Sequence, residues 1–243
     1  MISESMSTIS MSTVSLSTLV AISVFTSGSL AGQLYLQDFS AQGDGYSTSI
    51  AEFSDGGTDF FTQSAANSVS SSVVYNGADG DYFAGMDIDG EGASLPVFLT
   101  TATFGIAGAT DLQFMVDLAE DDDGSNQDWD APDFVNFEYQ VDGGSWVTIF
   151  TAINDGSTFN SAAFVDGVEI TDTFATFSAD LTGVSGTDMA LRISWDLNAG
   201  DEDLAIDNLT ITGNTVAVVP VPSAALAGII VLGGLGVGRR IRR

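Results

Sequence analysis

Three segments of the chain alternate apolar and polar side chains with a period of two. Leu112, Phe114, Val116 and Leu118 share one face, with Gln113 and Asp117 on the other. Val135, Phe137, Tyr139 and Val141 alternate with Asn136, Glu138 and Gln140, and Met189, Leu191, Ile193, Trp195 and Leu197 with Ala190, Arg192, Ser194 and Asp196. Each pattern predicts a half-buried strand with one wet face. Shorter runs at 34–39, 73–75, 82–88, 95–104, 146–151, 174–181 and 204–211 bring the expected total to about ten strands. No long amphipathic helix competes with them.

Punctuation between these runs agrees. Asp-Gly occurs at 44, 55, 79, 89, 123, 142, 155 and 166, a dipeptide suited to tight turns that need positive φ. Asp142-Gly143-Gly144 joins two strong strands and predicts a hairpin. Near the end, Leu204 and Ile206 lie in one phase and Leu209 and Ile211 in the other, so a bulge is expected at Asp207-Asn208. Together these signals predict an all-β fold, an antiparallel β-sandwich of the jelly-roll kind.

The two ends follow other patterns. Residues 1–30 are rich in Ser and Thr, turn apolar from Val14 to Phe25, and offer Ser29-Leu30-Ala31 before Gly32. This reads as a signal peptide over 1–31, although Glu4 is its only charge. At the other end, residues 224–238 carry no charge and are followed by Arg239, Arg240, Arg242 and Arg243. Those fifteen residues would span about 22 Å as a helix, and the prolines before them bring the stretch close to a transmembrane length. The arginines would hold their end on the cytoplasmic side and leave the body outside. The expected organisation is a signal peptide at 1–31, a sandwich at 32–214, and a linker, motif, helix and Arg-rich tail at 215–243.

The motif Val219-Pro220-Val221-Pro222, the apolar stretch and the Arg cluster resemble the PEP-CTERM class of bacterial sorting signals. Tails of that class usually read Val-Pro-Glu-Pro, and here Val221 stands at the Glu position. The resemblance implies an exosortase-type transpeptidase as processing partner. It also implies a membrane-anchored precursor whose mature form is at the cell surface or extracellular. The body, from Gln37-Asp38-Phe39 to the strand over 204–211, resembles jelly-roll domains of secreted bacterial proteins, with MAM and carbohydrate-binding jelly rolls as relatives in shape. Segments 83–92, 119–130 and 199–208 are similar to an uncharacterised exported domain that often carries such a tail.

Composition narrows the chemistry. The chain has 33 acidic and 5 basic residues, a formal charge of −28, and four of the five basic residues are in the tail. Arg192 is the single cation of the body, so nucleic acid is excluded as a partner. His, Cys and Lys are absent, which removes Ser-His-Asp and Cys-His nucleophile systems, His/Cys zinc sites and the P-loop lysine. With 33 acids some pair falls at glycosidase spacing by chance, so no catalytic residues are assigned and no enzyme activity is expected.

Hard, oxygen-binding cations remain. Asp87, Asp89 and Glu91 around a glycine, and Asp121 and Asp123 in the run that begins at Glu120, are candidate ligands for structural calcium. A third acidic loop, Asp201-Glu202-Asp203, leads to Asp207. An EF-hand is excluded by the spacing and by the lack of flanking helices. The jelly-roll resemblance implies an acid near the first strand and one on the last, here Asp38 and Asp207. A second reading is polysaccharide binding, for which Trp129 between Asp128 and Asp130 is the candidate platform, while Trp146 and Trp195 fit core positions.

Overall fold

The computed structural model describes residues 29–65, 68–121, 129–156 and 161–216. Asp123, Asp128 and the whole sorting motif, Val219 to Pro222 and Arg239 to Arg243, lie outside the described residues, as does nearly all of the expected signal peptide. The described residues form strands, turns and loops without a helix. In order the strands are β1 (Ser29–Gln37), β2 (Tyr46–Thr48), β3 (Phe53–Ser54), β4 (Phe60–Gln63), β5 (Phe83–Met86), β6 (Val97–Thr101), β7 (Phe104–Gly105) and β8 (Thr110–Ala119). They continue with β9 (Phe134–Val141), β10 (Val147–Ile153), β11 (Phe164–Val165), β12 (Val168–Glu169), β13 (Ala175–Asp180), β14 (Asp188–Asp196) and β15 (Asp203–Val216).

Two antiparallel sheets result, and they form a sandwich. One has seven strands in the order β13-β8-β15-β5-β4-β3, with β1 also on β15; the other has eight in the order β12-β11-β10-β9-β14-β6-β2, with β7 on β14. The three alternating segments become β8, β9 and β14, and their apolar faces meet between the sheets. Leu112, Phe114, Val116 and Leu118 face Val135, Phe137, Leu191, Ile193 and Trp195, none more than 2% exposed. Phe114, Phe137 and Phe150 form one aromatic knot, with centroids 6.1, 5.5 and 4.9 Å apart. Phe39, Tyr46, Phe61, Phe83 and Trp195 form another. Gly85 on β5 makes room for that packing, since a Cβ there would come within 3.2 Å of the Trp195 ring.

The expected bulge has an architectural reason. On one edge β15 pairs with β8; on the other it pairs first with β5, over Asp203 to Ile206, and then with β1, over Leu209 to Val216. The register to β8 slips between Asp207 and Thr210, and Asn208 takes φ +51°. The phase change therefore marks where one strand passes from one neighbour to the next. The hairpin at Asp142-Gly143 is present, with φ of +50° and +69°. β1 begins at Ser29, opposite Val216, so its first three pairs precede the expected cleavage point after Ala31.

The apolar run at 73–75 is not a strand. Val73 and Tyr75 fold instead onto the outer face of the seven-stranded sheet. There they pack with Phe60, Tyr82, Ala84, Met86, Ala119 and Ala205 in a second apolar cluster, with Phe174 against it.

Phe137 sits at the centre of the first knot, so Phe137→Ala should cost about 3–5 kcal/mol, or roughly 10 °C in melting temperature. Val168→Ala, on the exposed edge strand β12, should leave the melting temperature nearly unchanged. Thermal unfolding followed by far-UV circular dichroism checks both.

Candidate metal centre

Acidic loops converge at one end of the sandwich because β5, β8, β14 and β15 all begin or finish there. Ile88 donates its N–H to the Leu197 carbonyl at 3.0 Å, tying the turn after β5 to the β14–β15 loop. Asp121, just after β8, donates its N–H to Asp203 Oδ1 at 3.0 Å, and the Tyr75 hydroxyl donates to the same oxygen at 2.6 Å.

Within this end, Asp130, Asp133 and Glu202 place carboxylate oxygens within 4.8 Å of one another, the group of three or more potential ligands found among the described residues. Asp133 is 3% exposed and Glu202 2%, whereas Asp130 is half-buried. Asp133 Oδ2 accepts from the Asp130 N–H at 2.8 Å, and its Oδ1 accepts from Asn198 Nδ2 at 2.8 Å. Glu202 Oε2 accepts the N–H groups of Asn198 and Ala199 at 2.6 and 3.0 Å. The loop is thus wrapped around the carboxylate. Burial, then a hydrogen bond to Asp133, raises the Glu202 carboxyl well above the usual range, and burial also raises Asp133. Two buried carboxyls in contact hold either a shared proton or a cation between them. Both are consistent with these residues, and an all-oxygen donor set suits a hard cation.

Of the seven sequence-predicted calcium ligands, Asp123 lies outside the described residues, and the other six do not form one cluster. Asp87 and Asp89 lie in the turn after β5; the Asp87 carboxyl hydrogen-bonds with Asp59 and with Asp89, and burial first, then these two neighbours, push it up to about 6. Glu91 is exposed beyond that turn. Asp121 belongs to the Asp203 side of the same end. Asp38 and Asp207 are elsewhere, beside the bulge on the outer face of the seven-stranded sheet, where β1 and β5 abut along β15. Their proximity follows from pairing: Gln37 is opposite Leu209. Asp207 is 1% exposed, Asp38 is exposed, and Asp117 and Asp79 complete the surroundings. Asn208 bridges the carboxylates, donating its N–H to Asp207 at 2.7 Å and its side-chain amide to Asp117 at 2.9 Å. Burial raises the Asp207 carboxyl to about 7; the Asn208 N–H opposes this, and Asp117, Asp38 and Asp79 add to it.

The sugar platform expected at Trp129 is corrected by its burial. Its ring is 0% exposed and packed in the main core, with Nε1 donating to the Asp203 carbonyl at 3.3 Å. An indole without an open face cannot stack on a sugar ring. Asp130 instead joins the carboxylate triad. Trp146, expected in the core, is only partly buried, whereas Trp195 is fully buried as expected. Asp133 escaped the sequence reading because a single acid after Pro132 has no spacing signal; Glu202 was visible only as the middle of an acidic loop.

No protein-family model and no curated protein matches the sequence. Among solved structures, the chain is similar to the K3 cleaved adhesin domain of Lys-gingipain from Porphyromonas gingivalis, with 15% identity over 74% of this chain and 98% of that one, at a TM-score of 0.42. It is similar also to the CBM22-1 xylan-binding domain of Xyn10C from Paenibacillus barcinonensis, with 12% identity, 78% and 99% coverage and a TM-score of 0.41. A cyclase from Fischerella sp. TAU has 12% identity, 76% and 98% coverage and a TM-score of 0.45. Likeness at this level assigns no function to the chain.

A carboxyl that keeps its proton in the fold at a pH where the unfolded chain has lost it makes stability fall as pH rises. In chelator, the melting temperature should therefore be highest near pH 4 and decline toward pH 8. Asp207 contributes up to its own value of about 7. Asp207→Asn should flatten that part of the decline, which a pH series of melting curves reads directly.

Proposed function

We propose that this chain is a non-enzymatic exported protein of the cell surface or extracellular matrix. In this reading a jelly-roll sandwich is stiffened by calcium at one end and delivered by a C-terminal PEP-CTERM-like signal. The precursor is held in the membrane by the apolar segment 224–238, and an exosortase-type transpeptidase removes the Arg-bearing end. The observation that carries the calcium part is the triad of Asp130, Asp133 and Glu202, two of them buried. Arg192 cannot neutralise it, because the guanidinium is engaged with Glu138. Sorting is supported by the tail sequence, and the absence of His, Cys and Lys supports a non-catalytic role.

Polysaccharide binding is the second reading. It is favoured by Trp146, the partly exposed indole, and no longer by Trp129.

Calcium added at pH 8 should raise the melting temperature of the purified protein by several degrees, and Glu202→Gln should abolish the rise while the fold is kept. At pH 4.5 the shared proton competes and the rise should shrink. A wild-type melting temperature indifferent to calcium and to chelator at pH 8 would sink the cation reading. Intact mass of the mature protein tests the sorting reading separately: loss of residues 1–31 and of the Arg cluster is expected, and a mass that retains Arg239 to Arg243 contradicts it.

A further inference from the structure

The two outer faces of the sandwich differ. That of the seven-stranded sheet is partly covered by the apolar cluster around Val73, Tyr75 and Phe174. On the eight-stranded sheet, cross-strand register places Ser47, Thr100, Arg192, Glu138 and Thr148 in one outward row. Phe98, Ser194, Asn136 and Thr151 form the next. The only ionisable side chains in these two rows are Arg192 and Glu138, and they neutralise each other through paired bonds of 2.8 and 3.0 Å. In a chain of net charge −28, the sole cation of the body leaves these two rows without net charge, with acids returning at the ends of β14 at Asp188 and Asp196.

Arg192 also organises the aromatics. Its guanidinium carbon lies 4.4 Å from the centroid of Trp146 and 4.8 Å from that of Phe98, so the cation is held between two rings. Trp146 comes from the β9–β10 connection, just before β10. Beside it is a depression of about 240 Å³, lined by Phe98, Thr100, Trp146, Arg192 and the hydroxyls of Ser47 and Ser49. Two of the five guanidinium N–H groups bond Glu138, which leaves others to donate outward.

We propose that this face, centred on Trp146 and Arg192, is a binding site for a neutral polysaccharide; it rests on the second reading above and gives that reading a location. A hydroxylated, uncharged chain stacks on an indole and exchanges hydrogen bonds with hydroxyl, amide and guanidinium groups. An anionic polymer is repelled by the rest of the molecule, and a cationic one is drawn to the acidic end instead.

Tryptophan fluorescence tests this, because Trp129 and Trp195 are fully buried and Trp146 is the partly exposed third. The purified full chain, in chelator so that the cation reading has no bearing, is titrated with hydroxyethyl cellulose, galactomannan and dextran, and with alginate as the anionic control. At least one neutral polymer should blue-shift the emission and shield it from acrylamide, equally at ~50 and ~500 mM salt, since no ion pair is formed. In affinity electrophoresis Trp146→Ala should lose binding by about tenfold or more, while Trp146→Phe keeps most of it. Should Trp146→Ala fail to fold, shielding in the wild-type protein decides. No response to any neutral polymer overturns both the site and the polysaccharide reading. Binding undiminished in Trp146→Ala overturns the site alone. Salt-sensitive binding of alginate in place of the neutral polymers overturns the ligand class.

Discussion

Charge imbalance is the constraint to which the rest of the structure answers. A sandwich with one arginine among so many carboxylates cannot satisfy its buried acids by ion pairing. It uses three other means. Backbone N–H groups wrap carboxylates, as Asn198 and Ala199 do for Glu202 and as Asn208 does for Asp207. Side-chain donors do the same, as the Tyr75 hydroxyl does for Asp203. Where neither is enough, carboxyls meet each other and keep a proton above its usual range, as at Asp133 with Glu202. Each arrangement favours the neutral or cation-bound form over the bare carboxylate. A structural cation would relieve the same strain in a different currency from the proton.

The architecture determines where this strain collects. β15 is shared by β8 on one edge and by β5 and β1 in succession on the other. The change of neighbour requires the bulge at Asp207-Asn208, and the bulge turns Asp207 toward Asp38 and Asp117. The ends of β5, β8, β14 and β15 then gather the remaining acids at one end of the sandwich. The single arginine is engaged on the other sheet: it pairs with Glu138 and holds Trp146 and Phe98 around it. The middle of one outer face thereby carries no net charge and two aromatic rings, while the loops stay acidic. In the proposed reading, the end that would hold a cation and the surface that would meet an uncharged polymer are therefore separate.

Strict alternation made β8, β9 and β14 legible, since a period of two over seven or more residues is a local property that any partner on the apolar side will satisfy. The Asp142-Gly143 hairpin and the bulge in β15 were legible for the same reason: each is a local irregularity with its own side-chain signature. Strands of two to four residues, such as β2, β3 and β11, carry no period to detect and exist because a longer neighbour offers its edge. The run at 73–75 has strand-like composition, yet its apolar side chains found a sheet face before an edge.

What the amino-acid order determined by itself was the β class, the turns, the acidic character and the exclusion of nucleophile and zinc chemistry, because these depend on residue type and short-range spacing. Tertiary structure alone decided which acids meet and which tryptophan is open. Asp130, Asp133 and Glu202 are brought together by two loops nearly seventy residues apart in the chain. Trp129 and Trp146 exchanged the places expected of them, one in the core and one at the surface. Such outcomes depend on sheet order and on which loops share an end, and no local pattern encodes a contact made across the fold.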